Sequence, residues 1–199
     1  MPRGSLLFLS CDGAATGLPC RRAILQRMEA LWKRVVSVDL RLLLAVRRWE
    51  SAFMTRLMKT LTHLGDTSTW VVVGLALGFS GGRGPRYASL LGLGATIAVL
   101  ASQALKRLCC RARPSCHGGF AALVENPDAF SFPSGHTAAA FGIAVALAGE
   151  GSGLGALTLT LASGIAMSRI YLGAHFPLDV AAGTLVGSLA GIAARFIVS

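Results

Sequence analysis

The run from Leu178 to Val198 sets the first limit on this chain, because its only charges are Asp179 near the start and Arg195 near the end. A segment that long and that apolar crosses a bilayer as a helix, which satisfies its own backbone hydrogen bonds in hydrocarbon. Three further runs read the same way: Tyr87 to Leu105, Ser134 to Ala148 and Leu154 to Ser168. A shorter one, Trp70 to Phe79, reaches spanning length only by borrowing Thr67 to Thr69 and the glycines at 81 and 82. None alternates polar with apolar residues, so the expected fold is all-α, a polytopic transmembrane helical bundle of about five spans, and not a β-barrel. Gly183, Gly187 and Gly191 recur at four-residue spacing in the last run, a small-residue ladder that lets a neighbouring helix come close.

Composition agrees: 53% of the 199 residues are hydrophobic and 14% charged, with a mean hydropathy of +0.61. The net charge of +10 raises the question of nucleic acid. The basic residues adjoin bilayer-length segments and have no recognisable nucleic-acid module around them, so the expected partner is the lipid bilayer. The five cysteines, Cys11, Cys20, Cys109, Cys110 and Cys116, form an odd set without CxxC spacing, which implies neither a zinc site nor a complete disulfide framework.

Three regions follow. Residues 1–20 read as a loose tail, because the Leu6 to Leu9 apolar patch before Asp12 is too brief for a signal peptide. Residues 21–65 carry two amphipathic patterns: Ile24, Leu25, Met28, Leu31, Trp32 and Val35, then Phe53, Met54, Leu57, Met58, Leu61 and Leu64. Each reads either as a helix on the membrane surface or as one packed on protein. Residues 66–199 form the transmembrane domain. Five spans put the long loop 107–132, the Pro133 and His175 regions and the basic N-terminal helices on one side, which the lysine and arginine bias assigns to the cytoplasm.

Chemistry concentrates at three places where an apolar run meets that side. Lys106-Arg107-Leu108-Cys109-Cys110-Arg111-Ala112-Arg113-Pro114 by itself also suits an ordinary basic membrane edge. Pro133-Ser134-Gly135-His136 suits a helix start whose free amides attract an anion, but a plain cap leaves His136 unexplained. Of the nine acidic residues, Asp179 alone follows a histidine by four positions. If a helix begins near His175, Asp179 shares its face and can accept a proton from one imidazole nitrogen, leaving the other nucleophilic. A metal-ligand pair or a satisfied structural histidine would use the same spacing.

Together these pieces complete KxxxxxxRP at Lys106 to Pro114, PSGH at Pro133 to His136 and SRxxxxxHxxxD at Ser168 to Asp179. The chain thereby resembles the PAP2 (type 2 phosphatidic acid phosphatase) superfamily, membrane relatives of the vanadium haloperoxidases, over roughly residues 60 to 198. The resemblance implies a haloperoxidase-like core, usually with six spans, and makes 66–199 a catalytic domain. It implies a lipid phosphate or diphosphate phosphatase of the cell's inner membrane, acting on a polyprenyl diphosphate, phosphatidate, phosphatidylglycerophosphate or lipid A type substrate. It further implies His175 as nucleophile, giving a phosphohistidine, with Asp179 holding its imidazole and His136 as acid and then base. Lys106, Arg113, Ser134, Gly135 and Arg169 would bind the phosphate, and no metal or other cofactor would be needed. Arg107 and Arg111, at variable motif positions, are expected to touch lipid headgroups or the surface, and His63 and His117 to be surface residues. A lipid phosphotransferase using the same histidine, or an inactive membrane scaffold, are the competing readings.

Overall fold

The computed structural model describes residues 19–116, 121–125 and 128–199, without the side chains of 19–26, 28, 29, 32 and 152. The tail expected over 1–20 lies outside them as far as residue 18, as does His117, and the apolar positions Ile24, Leu25, Met28 and Trp32 have no described side chains. By its contacts the chain divides into Met1–Ser37 and Val38–Ser199. The described part of the first unit is helical. The second holds the helices α2 (Ala52–Leu64), α3 (Thr67–Phe79), α4 (Gly84–Cys109), α5 (Gly135–Leu147), α6 (Ser152–Tyr171) and α7 (Pro177–Val198), and the C-terminal part of α1 (Pro19–Arg47). No strand occurs among the described residues.

Sequence explains most boundaries. Ser51 caps α2, its hydroxyl accepting the Met54 amide at 3.2 Å. Pro85 and Pro177 stand in the first turns of α4 and α7, where their missing N–H costs nothing. The first amphipathic pattern was expected to stop near Val36, but α1 continues to Arg47. Its later turns are organised around buried Asp39 and Leu43, one turn apart on the same face.

Helix α5 is apolar on every side, so it belongs in the interior. It is buried along its length and packs against α4, α6 and α7. Ile143, Ala146 and Leu147 meet Leu90 and Leu91 of α4 and Ala194 of α7, while Ala140 and Ala144 meet Ala162 and Ile165 of α6. Outward positions stay apolar: Val72 and Leu75 on α3, Leu100 on α4, Leu185, Leu189 and Phe196 on α7 are exposed. Such a surface suits hydrocarbon better than water.

Five spans were expected; among the described residues three helices, α4, α6 and α7, are long and apolar enough to cross a membrane. The other two candidates, α3 and α5, have 13 residues each. That is about 20 Å of rise, short of a hydrocarbon core of about 30 Å.

The glycine ladder of α7 lies on α5. A Cβ at Gly187 would stand 2.3 Å from the Ala138 carbonyl oxygen and 3.0 Å from the Gly142 nitrogen, both backbone atoms that cannot move aside. Gly187→Ala is therefore expected to cost about 1–3 kcal/mol, seen as a lower melting temperature in detergent. Gly92→Ala, where a Cβ meets nothing within 4 Å, should leave the melting temperature unchanged or raise it slightly.

Candidate active site

The site lies where α2, α4 and α6 end and α3, α5 and α7 begin. Three motif cations converge there, and all are buried: Lys106 from the last turn of α4, Arg113 from the following loop and Arg169 from the last turn of α6. Buried charge has to be paired or hydrogen-bonded. Lys106 Nζ pairs with the Asp128 carboxylate. Arg113 donates from Nε to the Asp128 carbonyl at 2.7 Å and from Nη1 to the Ala174 carbonyl at 2.7 Å. Arg169 Nη1 donates to Thr62 Oγ1 of α2 at 2.6 Å. Burial alone would raise the pKa of Asp128, but the Lys106 contact and the charge of Arg113 hold it below the ordinary carboxylate value. The cations thus face one ionised acid from the long loop.

The N-terminus of α5 closes a second side. The Ser134 amide donates to the Asp179 carbonyl at 3.0 Å, locking the start of α5 to the start of α7. The Ser134 hydroxyl makes no cap bond; it accepts from Thr137 Oγ1 at 3.0 Å. A Cβ at Gly135 would point toward Lys106 Nζ at 3.9 Å, so this stretch of backbone lies beside the ammonium.

His136 Nε2 meets Asp66 Oδ1 at 2.9 Å, and the other oxygen of Asp66 meets His63 Nδ1 at 3.0 Å. Asp66 stands at the N-cap position of α3 without capping it, because its carboxylate is turned to the two histidines. Gly65 allows the approach: a Cβ there would be 2.8 Å from Ile165 Cγ2 and 3.4 Å from His136 Cδ2. Burial would raise the pKa of Asp66, but hydrogen bonds with His63 and His136 hold it below its ordinary value. His63 is largely exposed, yet it is paired with this carboxylate.

His175 sits in the turn between α6 and α7, ahead of the helix start at Pro177. Its amide and that of Ala174 donate to the Arg169 carbonyl, at 3.2 and 3.1 Å. The imidazole is buried. Nδ1 lies 2.6 Å from the Ser131 carbonyl, which can only accept, so Nδ1 carries the proton and Nε2 the lone pair. Asp179 was expected to take that proton, but its Oδ2 is 3.8 Å from Nδ1. The carboxylate is held elsewhere, Oδ2 by the Phe176 amide at 2.9 Å and Oδ1 by Arg111 Nη1 at 2.6 Å. Arg111, expected at the surface, is buried and bridges Asp179 to Asp39. Arg113 Nη1 stands 3.5 Å from Nε2.

All eight motif side chains or backbones expected at the site are therefore at this end of the bundle. Lys106 lies beside Gly135, Arg113 and Arg169 are hydrogen-bonded to His175, and Ser134 to Asp179. Asp39, Asp66, Arg111, Asp128 and Ser131 join them without having been expected. Asp39 is the only acidic residue between Glu29 and Glu50, a signal present in the sequence.

Burial lowers the pKa of His175 to about 4, with Arg169 and Arg113 adding to the effect against the opposing pull of Asp179. The ring is neutral at physiological pH. In a histidine NMR titration, the His175 signal, assigned by its loss in His175→Ala, should stay that of the neutral ring down to about pH 4. Protonation near the ordinary histidine value of 6.5 would contradict this burial.

Residues 87–198 match the PAP2 superfamily. The chain is 34% identical over 132 residues, 66% of its length and 73% of the relative's, to a decaprenylphosphoryl-5-phosphoribose phosphatase of Mycobacterium tuberculosis. In structure it is similar to LpxE of Aquifex aeolicus, with a TM-score of 0.71 and 28% identity over 79% of this chain and 94% of that one. It is also similar to a transmembrane PAP2-type phosphatidylglycerolphosphate phosphatase of Bacillus subtilis, with a TM-score of 0.67 and 26% identity over 82% and 86% of the two chains. With its apolar helices, the chain is an integral membrane protein, and it belongs to the PAP2 superfamily.

Proposed function

We propose that this chain is a lipid phosphatase of the cell's inner membrane that removes the phosphate from a polyprenyl-linked substrate through a phosphohistidine intermediate. The observation that carries this reading is the state of His175: its Nδ1 proton is committed to the Ser131 carbonyl, and its Nε2 lone pair lies 3.5 Å from the Arg113 guanidinium. A nucleophilic nitrogen beside fixed cations suits attack on a phosphorus whose oxygens are anionic.

In the first step Nε2 forms a bond to the terminal phosphorus as that phosphorus parts from the oxygen linking it to the rest of the lipid, and His136 gives that oxygen a proton. His136 enters this step as an imidazolium whose Nε2 donates to the Asp66 carboxylate, so the proton it transfers is the one on Nδ1. In the second step water attacks the phosphorus, the P–N bond breaks, and His136 takes the water's proton, releasing inorganic phosphate. Lys106, Arg113, Arg169 and the uncapped first turn of α5 at Ser134 and Gly135 bind the non-bridging oxygens, whose charge spreads in the transition state. Asp179 offsets the positive charge that develops on the His175 ring. The phosphate competes with Asp128 for Lys106.

The polyprenyl choice rests on the mycobacterial relative, whose name specifies a decaprenylphosphoryl substrate. The site lies at the ends of helices whose outer faces suit hydrocarbon, so a phosphate can enter while its lipid tail remains in the bilayer.

Purified protein in detergent with EDTA, assayed for phosphate release, tests the reading. Farnesyl diphosphate and decaprenylphosphoryl-5-phosphoribose, each with a terminal phosphate, should be hydrolysed with higher kcat/KM than phosphatidate, phosphatidylglycerophosphate or lipid A. His175→Ala should lower the rate on the order of a thousandfold or more. A strict metal requirement or an active His175→Ala would contradict the mechanism, and a preference for a glycerolipid or lipid A would contradict the substrate.

A further inference from the structure

Arg111 lies at a variable position of its motif, yet it is one of the more heavily committed side chains in the molecule. Its guanidinium is shared by two carboxylates, Nη1 donating to Asp179 Oδ1 and Nη2 to Asp39 Oδ2, both at 2.6 Å. Its plane covers the Phe176 ring, 4.4 Å from the centroid. The other oxygen of Asp39 accepts the Leu178 amide at 3.0 Å, one of the first-turn amides of α7 that have no partner inside the helix. All three charged side chains are buried: Asp39 is 2% exposed, Arg111 7% and Asp179 0%.

Two acids and one guanidinium leave a net negative charge behind the His175 ring. Burying it is unfavourable, and apolar residues of similar volume would often be at least as stable, so stability alone is a weak reason for the arrangement. Arg111 also reaches His175 by a second route. Its carbonyl accepts the Ser131 amide at 2.8 Å, and the carbonyl of Ser131 is the acceptor for His175 Nδ1. Both groups that face Nδ1 thus depend on Arg111, one through its side chain and one through its backbone.

We infer that Asp39 is a positioning residue for the phosphoryl transfer proposed above. It pins Arg111 from the far side, which fixes the Asp179 carboxylate next to His175, and it keeps the group negative when the imidazole acquires positive charge. The inference rests on the reading of His175 as nucleophile. Asp39 belongs to α1 and precedes the family match over 87–198, so the last turns of the N-terminal helix are part of the catalytic apparatus. Without Asp39 the guanidinium and Asp179 form a neutral pair, and the cationic phosphoimidazole loses stabilisation.

The test is steady-state kinetics on the full chain in detergent, with farnesyl diphosphate as probe, for the wild type, Asp39→Asn, Asp39→Glu and His175→Ala, each with its melting temperature. Asp39→Asn should lower kcat by about tenfold, the equivalent of one pKa unit of charge stabilisation. KM should stay within about twofold. The acid limb of the pH–rate profile should move to lower pH, because the imidazole holds its proton less tightly. Asp39→Glu, which restores the charge, should recover most of the loss. Wild-type kcat and pH profile in Asp39→Asn, alongside an inactive His175→Ala, would overturn this inference and leave the phosphatase reading intact. Activity lost in step with the folded protein, and not recovered by Asp39→Glu, would show a merely structural contact and overturn it as well. A wild type that releases no phosphate would overturn the functional reading itself.

Discussion

The active end of this molecule depends on how closely α7 lies against α5. Cβ atoms at Gly183, Gly187 and Gly191 would fall 2.6, 2.3 and 2.6 Å from the carbonyl oxygens of Ser134, Ala138 and Gly142, so the two backbones touch in steps of four residues along both helices. The residue numbers rise together, which means the helices run parallel and begin at the same end. On another side of α5, Gly142 meets Gly94 of α4 with similar closeness. These close backbone approaches hold α5 in a fixed register. The Ser134 amide bonded to the Asp179 carbonyl is the last step of that register, and it brings His136 and His175 to the same end of the bundle.

That placement has an electrostatic consequence. Two parallel helix N-termini bring their positive ends together, and Lys106, Arg113 and Arg169 are buried beside them. A neutral imidazole is the favoured partner for such a cluster, and burial among these cations keeps His175 in that form. The same field that disfavours a proton on His175 favours an anion beside it. Acidic side chains then divide the work: Asp128 faces the cations, Asp66 holds His136, and Asp179 stands behind His175 with Asp39 and Arg111.

What the sequence disclosed follows from the kind of signal each part carries. Bilayer-length apolar runs located α4, α6 and α7 within a few residues, because hydrophobicity acts locally. The three motifs located the cations and histidines because they pair unusual residue types at fixed spacing. Ser131 was invisible, since its backbone carbonyl has no side-chain signature. Arg111 was misjudged because an arginine near a membrane edge looks the same whether it faces lipid or a buried acid. Asp39 lies 72 residues from Arg111, and only the folded chain brings the two together. The interior place of α5 was missed for a related reason: an apolar stretch does not distinguish a helix that crosses the bilayer from one buried inside the bundle.

The central claim is that phosphorus becomes bonded to one particular nitrogen. The direct measurement is to mix the protein with a lipid phosphate carrying labelled phosphorus, quench within a turnover and locate the label by mass spectrometry, using His136→Ala to slow breakdown of the intermediate. The account predicts an acid-labile phosphoryl group on His175 that is absent from His175→Ala. Label on another residue, or an equal amount of labelled protein in His175→Ala, would contradict it.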